Sequence, residues 1–172
     1  AWVVTARTTY GKVPEPVSYA ILLLRTGYLG LYTGLYSLAV VWLRDLIPRY
    51  GIFFAPCFWV ALELFRTYLL SGLPWCLLGY SQYRELELIQ VADHTGVYGI
   101  SFLIVLVNLA LAELILWIMP FFRGFHPVKL PWELLTTAAA CMVLSWVYSS
   151  AVLSDRHTRD PGTSITVGVV QP

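Results

Sequence analysis

The sequence has 172 residues, of which 58% are hydrophobic and only 12% are charged. A soluble domain usually carries about 25% charged residues, so this composition favours a membrane protein over a soluble enzyme or binding module. The formal net charge is +1, and the Lys and Arg residues are scattered one or two at a time, which leaves no basic patch for a nucleic acid.

Four apolar stretches are long enough to cross a hydrocarbon core of about 30 Å, which takes about 20 helical residues. In chain order they are 17–43, 52–71, 97–119 and 131–153. The opening AWVVTA indicates the tail of a fifth helix, because a polar connection follows it at once. We therefore predict an all-α polytopic membrane bundle of about four transmembrane helices, and we expect the chain to begin partway through a longer protein.

The connection 72–96, between the second and third spans, has an unusual composition. It alternates Pro74, Trp75, Tyr80 and Tyr83 with polar residues. Amphipathic rings prefer the boundary between headgroups and acyl chains, so this pattern favours a segment that lies at the bilayer interface.

The end of the chain differs from the rest in composition. We predict a membrane domain at 1–153, a polar linker at 154–164, and a buried β-strand at 165–172, where the sequence ITVGVVQP begins a second domain. Counting Lys and Arg in the loops gives four on one side of the membrane and five on the other. The charge bias therefore leaves the orientation of the bundle open.

Charged residues inside a span are costly and need a partner or a task. Glu63 and Arg66 are three residues apart, so they share a helix face and can pair, with Trp59 one turn earlier. Either they form an ion pair that lets the helix insert, or Arg66 faces a polar cavity that receives a lipid headgroup or ester. The residues alone leave both interpretations open.

The first span carries two neighbouring faces at helical spacing. The small-residue face consists of Gly27, Gly30, Gly34 and Ser37, and the tyrosine face consists of Tyr28, Tyr32 and Tyr36. Small residues let two helices approach closely, so we predict that the small-residue face is a helix-packing seam rather than a substrate groove.

No arrangement for catalysis or metal binding is evident, and we expect no cofactor. The sequence has no HExxH or GxSxG motif, and Cys57, Cys76 and Cys141 are interpreted as packing residues. Two other classes stay open at this point. One is a transporter or channel fragment, although the spans show no internal repeat; the other is a non-catalytic membrane assembly subunit.

Four strings of the sequence resemble the apolipoprotein N-acyltransferase family, a group of bacterial membrane enzymes of the nitrilase superfamily. They are GYLGLYTGLY (27–36), APCFWVALELFRTYLLSGLPWCLLGYSQ (55–82), TGVYGISFLIVLVN (95–108) and ITVGVVQP (165–172). The second contains the family motif P-x-x-W-x-x-x-E-x-x-R, followed by G-x-P-W and G-Y-S-Q. The resemblance covers essentially the whole chain.

The resemblance implies an enzyme of the bacterial inner membrane that transfers an acyl chain from a phospholipid to the diacylglyceryl-cysteine of an apolipoprotein. In this family a periplasmic nitrilase-like αββα domain carries a Glu, Lys and Cys triad, with the Cys as thioester carrier. The chain ends at Pro172, one strand into that domain, and all three of its cysteines precede the strand. We therefore assign no catalytic residue and expect no acyl transfer from this chain alone.

The residues that match the family motif are implied to lie at the periplasmic membrane surface, below the catalytic pocket. Those we predict to bind substrate are Trp75, Pro74, Tyr80, Gln82, Arg66 and Glu63. Trp75, an aromatic residue after a proline at the end of a span, is the leading candidate for lining the route of the acyl chains. The same topology places the loops around Arg49 and Arg123 in the cytoplasm and the segment 72–96 in the periplasm.

Overall fold

The computed structural model describes residues 2–48, 50–69, 76–119 and 130–158, and in these ranges all regular elements are helical. The helices are α1 (Trp2–Thr9), α2 (Glu15–Leu46), α3 (Ala55–Tyr68), α4 (Leu86–Ile89), α5 (Ala92–Ile118) and α6 (Trp132–Thr158), with 3₁₀ turns at Gly51–Phe54 and Leu78–Gln82. The chain divides into two compact units, Ala1–Pro74 and Trp75–Pro172. The predicted strand at 165–172 lies outside the described residues.

The first unit is built around α2, which packs against α1, α3 and the turn Gly51–Phe54. Pro14 caps the start of α2 in an extended conformation (φ −56°, ψ 141°), where the missing N–H of a proline costs nothing, and Glu15 places a negative charge in the first turn. With 32 residues, α2 is about 48 Å long, which exceeds the hydrocarbon core of a bilayer.

Of the four predicted spans, two are confirmed as long apolar helices. In the described part of the chain, α5 and residues Trp132–Asp155 of α6 are long and apolar enough to cross a membrane. The stretch 17–43 is helical throughout, but it is not apolar enough to count as such a helix, because Gly, Tyr and Thr residues stand among its aliphatic ones.

The second predicted span, 52–71, is longer than the helix that forms there. Residues Gly51–Phe54 form a 3₁₀ turn, and α3 begins only at Ala55. The helix ends at Tyr68, because Leu69 has extended backbone angles (φ −73°, ψ 140°). Its 14 residues cover about 21 Å, which is less than a hydrocarbon core.

In the second unit, Gly96 sets the start of the long part of α5. Its angles (φ 63°, ψ −171°) belong to a region that essentially only glycine occupies, and they separate a short first turn from the regular helix. The regular helix therefore begins at Val97, which is where the sequence predicted the third span to begin.

Helix α6 packs against α4 and α5 and buries a face of mostly small residues. Leu134, Ala138, Ser145 and Ser149 are all buried, at spacings that place them on one side of the helix. The helix also continues to Thr158, past Leu153 and into the predicted linker, since no proline or glycine interrupts it there.

A buried hydrogen bond fastens the turn Leu78–Gln82 to α5. The backbone N–H of Gly79 donates to Oγ of Ser101 over 2.9 Å, and both residues are buried. A Cβ atom on Gly79 would lie 2.5 Å from the carbonyl oxygen of Val97, so only glycine fits. Next along the chain, α4 is fastened to α6 by the Trp146 indole, whose Nε1–H donates to Oε2 of Glu87 over 3.2 Å.

We expect Gly79→Ala to destabilise the chain by about 1–3 kcal/mol, because the added methyl group must displace the backbone of α5. Gly30→Ala is the matched control, because nothing lies within 4 Å of a Cβ at Gly30 and alanine suits a helix interior better than glycine. Thermal unfolding in detergent measures both. Equal melting temperatures for the two variants would contradict the close approach at Gly79.

Candidate functional site

A small polar recess lies between α2 and α3 in the first unit. It is lined by Tyr32, Trp59, Leu62, Glu63 and Arg66. The four α3 residues recur at helical spacing and so share one face of that helix. The recess has space for about one water molecule.

The two charged residues of the recess are almost fully buried. Glu63 is 3% exposed and Arg66 is 8% exposed. The guanidinium of Arg66 lies 5.9 Å from the centre of the Tyr32 ring, within the range of a cation–π contact. The structure therefore confirms that Glu63 and Arg66 share one helix face, and it buries both against α2.

Tyr32, on the tyrosine face of α2, supplies the opposite wall. The hydroxyls of Tyr28 and Tyr32 are hydrogen-bonded over 2.7 Å, and the Tyr36 ring meets the Trp59 ring edge-on, with centroids 5.0 Å apart. Aromatic pairs in this geometry add about 0.5–1.5 kcal/mol to the area that they bury. Sequence reasoning placed these tyrosines on one stripe but did not assign them to the contact with α3.

The small-residue face, predicted to be a packing seam, meets no other helix within the described part of the first unit. A Cβ at Gly27, Gly30 or Gly34 would meet nothing within 4 Å, and Ser37 is exposed. Spacing identified both faces of α2 but did not identify the one that meets α3. The side chains of the tyrosine face are larger, and the Tyr32 ring can also stabilise the charge of Arg66. These two properties account for the contact of α3 with the tyrosine face rather than with the small-residue face.

The recess also contains the buried indole N–H of Trp59. Nε1 of Trp59 is buried and makes no hydrogen bond to any residue that the structure describes. A buried donor without an acceptor costs about 1–3 kcal/mol, so such groups are rare in folded proteins.

The remaining predicted substrate-binding residues belong to the second unit or lie outside the described ranges. Tyr80 and Gln82 are neighbours on the 3₁₀ turn Leu78–Gln82; Tyr80 is half exposed, and Gln82 is partly buried and donates from Nε2 to Oγ of Ser81 over 3.2 Å. Pro74 and Trp75 lie outside the described residues.

Tyr83 and Arg84, which follow the turn Leu78–Gln82, are exposed like Tyr80. Tyr83 is exposed, and its hydroxyl accepts a hydrogen bond of 2.7 Å from Nε of Arg84. The guanidinium of Arg84 also lies 5.3 Å from the centre of the Tyr83 ring. Together these residues present rings and one cation on the turn that Gly79 anchors.

The interpretation of the cysteines as packing residues is wrong for two of the three. Cys57 and Cys76 are exposed and Cys141 is partly buried, and all three are reduced cysteines outside any disulfide. In the described residues no group of three or more His, Cys, Asp or Glu side chains could hold a metal ion. Cys76 has a positive φ of 60°, a strained angle for any residue other than glycine.

Sequence analysis did not identify two residues that hold elements of the second unit together. Ser101 accepts the hydrogen bond from Gly79, and Glu87 accepts the hydrogen bond from Trp146. The first pair is separated by 22 residues and the second by 59, so no local pattern signals either contact.

We expect Arg66→Leu to destabilise the chain by about 3–5 kcal/mol, because it leaves the buried Glu63 carboxylate without the positive charge that lines the same recess. The double variant Glu63→Gln, Arg66→Leu should recover part of this loss, because no buried charge remains. Unfolding free energies in mixed micelles measure both, and Arg84→Gln, at an exposed residue, should change stability by less than about 0.5 kcal/mol. A double variant less stable than Arg66→Leu would contradict this account.

Comparison with known proteins identifies the group to which these helices belong. The profile of the apolipoprotein N-acyltransferase N-terminal domain matches residues 1–110. No solved structure matches the chain.

Several curated relatives carry the same name. The chain is 36% identical to apolipoprotein N-acyltransferase of Geobacter metallireducens over 99% of its own length and 31% of the relative. It is 34% identical to the enzyme of Shewanella oneidensis over 65% of its length and 22% of the relative, and 25% identical to that of Photobacterium profundum over 99% and 30%. The chain thus spans about a third of the length of the first of these relatives. By these matches, the chain belongs to the apolipoprotein N-acyltransferase family.

Proposed function

We propose that this chain is the membrane portion of an enzyme that transfers an acyl chain from a phospholipid to the N-terminal diacylglyceryl-cysteine of apolipoproteins. The observation that carries the proposal is the 36% identity to a named apolipoprotein N-acyltransferase over nearly the whole chain. The two long apolar helices α5 and α6 support it, because the acyl donor and the lipidated acceptor both reside in a bilayer.

In this proposal the chain crosses the bacterial inner membrane several times. Helices α2, α5 and α6 cross the membrane, and α3 crosses it together with the preceding turn Gly51–Phe54, which adds about 8 Å to its length of about 21 Å. The recess beside Tyr32 holds the buried charges of α3. The segment that includes the turn Leu78–Gln82 lies at the periplasmic face, where exposed rings such as Tyr80 and Tyr83 suit the interface. A nitrilase-like domain follows α6 on the periplasmic side.

The proposed division of labour assigns lipid handling to this chain. Trp75 lines the route of the acyl chains, and Pro74, Tyr80 and Gln82 complete the substrate-contacting surface. The Glu, Lys and Cys triad of the nitrilase-like domain performs the transfer. The thiolate attacks the phospholipid ester, which forms a thioester and releases a lysophospholipid. The cysteine α-amine of the acceptor then attacks the thioester, which forms the amide, breaks the carbon–sulfur bond and returns the free thiol of the enzyme. Cys57, Cys76 and Cys141 take no part in this step.

The role of Trp75 is tested by Trp75→Ala in the complete protein. We expect the rate of lipopeptide acylation to fall about tenfold or more, because the acyl chain loses the ring that orders it beside the catalytic pocket. The control is Trp42→Ala, since Trp42 lies on α2 and is 60% exposed. Unchanged turnover of the Trp75 variant would reduce this residue to a membrane anchor.

The proposed orientation is tested by cysteine accessibility in a variant that lacks the three native cysteines. A membrane-impermeant thiol reagent added from the periplasm should label Arg84→Cys and leave Arg49→Cys unlabelled until the membrane is opened. The opposite labelling pattern would place the segment 72–96 in the cytoplasm and overturn the assignment.

A further inference from the structure

The turn Leu78–Gln82 is held against α5 by a hydrogen bond to a residue that makes no contact with solvent. Oγ of Ser101 accepts a hydrogen bond from the backbone N–H of Gly79 over 2.9 Å, and Ser101 is fully buried. A hydrogen bond weakens steeply as its donor angle bends, so this bond resists rotation of the turn on the helix. Apolar contact holds two surfaces together without preferring a direction. Ser101 therefore fixes the direction in which the turn faces.

The backbone of the turn moves as one piece with Gly79. The N–H of Tyr80, the next residue, donates to the carbonyl oxygen of Leu77 over 3.1 Å, and Leu77 is itself buried. A Cβ atom at Gly79 would lie 3.1 Å from Cβ of Ile100, so the turn already touches the helix and cannot move inward. A rotation about Gly79 is thus the movement left to the turn, and it would redirect the Tyr80 ring.

Two further hydrogen bonds carry the orientation of the turn to the side chain of Gln82. Oγ of Ser81 donates to the carbonyl oxygen of Leu78 over 2.7 Å, and Nε2 of Gln82 donates to the same Oγ over 3.2 Å. A hydroxyl has one proton and a carbonyl oxygen only accepts, so the Gln82 atom beside Oγ must be the amide nitrogen. The Oε1 end of the amide therefore points away from Ser81.

The charge beside the turn distinguishes between the two proposed substrates. Arg84 is exposed, and its Nε donates to the hydroxyl of Tyr83 over 2.7 Å. The phospholipid carries a phosphate, whereas the diacylglyceryl-cysteine carries an α-amine and no phosphate. A guanidinium attracts a phosphate and repels an ammonium group. The surface formed by the turn and Arg84 therefore suits the acyl donor better than the acceptor.

We propose that Ser101 is a positioning residue for the first half of acyl transfer. Through Gly79, its hydroxyl sets the direction in which Tyr80 and Gln82 face the phospholipid before the ester reaches the catalytic thiolate. Ser101 is fully buried, so it touches no substrate and takes part in no covalent step. The inference rests on the proposed function and adds to it a residue that lies outside the substrate-contacting surface.

The kinetic test uses the complete protein and follows the two half-reactions separately. In Ser101→Ala, we expect the phospholipid concentration that gives half the maximal rate of thioester formation to rise about fivefold, because the turn no longer keeps its direction. Transfer from the preloaded thioester to a lipopeptide should keep its wild-type rate. Partial unfolding would instead lower the amount of thioester formed without changing the half-maximal concentration, so the two effects are separable.

Ser149→Ala is the matched control for this substitution. Ser149 is also a fully buried serine of the second unit, and its hydroxyl makes no hydrogen bond to any residue that the structure describes. Both half-reactions should therefore keep their wild-type values. An unchanged half-maximal concentration in Ser101→Ala, or an equal slowing of both half-reactions, would overturn the inference and leave the proposed function intact. A wild-type protein that forms no thioester from phospholipid would overturn both.

Amide hydrogen exchange tests the positioning without any acyl transfer. In nanodiscs, Ser101→Ala should raise the exchange rate of the Gly79 N–H about fivefold or more, because this buried donor loses its acceptor. The N–H of Leu106, in the buried part of the same helix, should exchange at its wild-type rate. Equal acceleration at both residues would report a general loosening of α5, and no acceleration at Gly79 would show that the turn does not depend on Ser101. Either result would overturn the inference.

Discussion

The burial of Glu63 and Arg66 between two apolar helices is the constraint on which the first unit depends. A buried charge left without compensation costs about 3–5 kcal/mol, and the cost falls only if other groups solvate it. Helix α3 carries both charges on one face, and the tyrosine face of α2 lies against it, with the Tyr32 ring 5.9 Å from the guanidinium of Arg66. The same contact leaves Gly27, Gly30 and Gly34 facing outward.

The second unit meets a related requirement through its backbone. A 3₁₀ turn that packs against a helix must find partners for its buried N–H and C=O groups, since a buried group without one costs about 1–3 kcal/mol. The hydroxyl oxygen of Ser101 accepts a hydrogen bond from the N–H of Gly79, and the absence of a side chain at Gly79 lets the turn approach the backbone of Val97. The turn is thereby held in place while Tyr80 and Tyr83 stay exposed.

Features encoded locally were predicted from the sequence, whereas those that depend on distant partners were not. The start of the regular part of α5 follows from Gly96, whose backbone angles only glycine adopts, and the long motif around Glu63 and Arg66 was sufficient to identify the family. The choice between the two faces of α2 depends on which side chains solvate Arg66, and this was not evident from spacing. The length of α3 was overestimated because an apolar run shows where a helix can form but not where its backbone departs from helical angles, as it does at Leu69.

The pairing of α3 with the tyrosine face of α2 is tested most directly by cross-linking in membranes, in a variant without the three native cysteines. The rings of Tyr36 and Trp59 have centroids 5.0 Å apart, so Tyr36→Cys with Trp59→Cys should be joined efficiently by a short bismaleimide. Gly34→Cys with Trp59→Cys should react poorly, because a Cβ at Gly34 meets no neighbour within 4 Å. Efficient cross-linking of the Gly34 pair together with none for the Tyr36 pair would contradict the account.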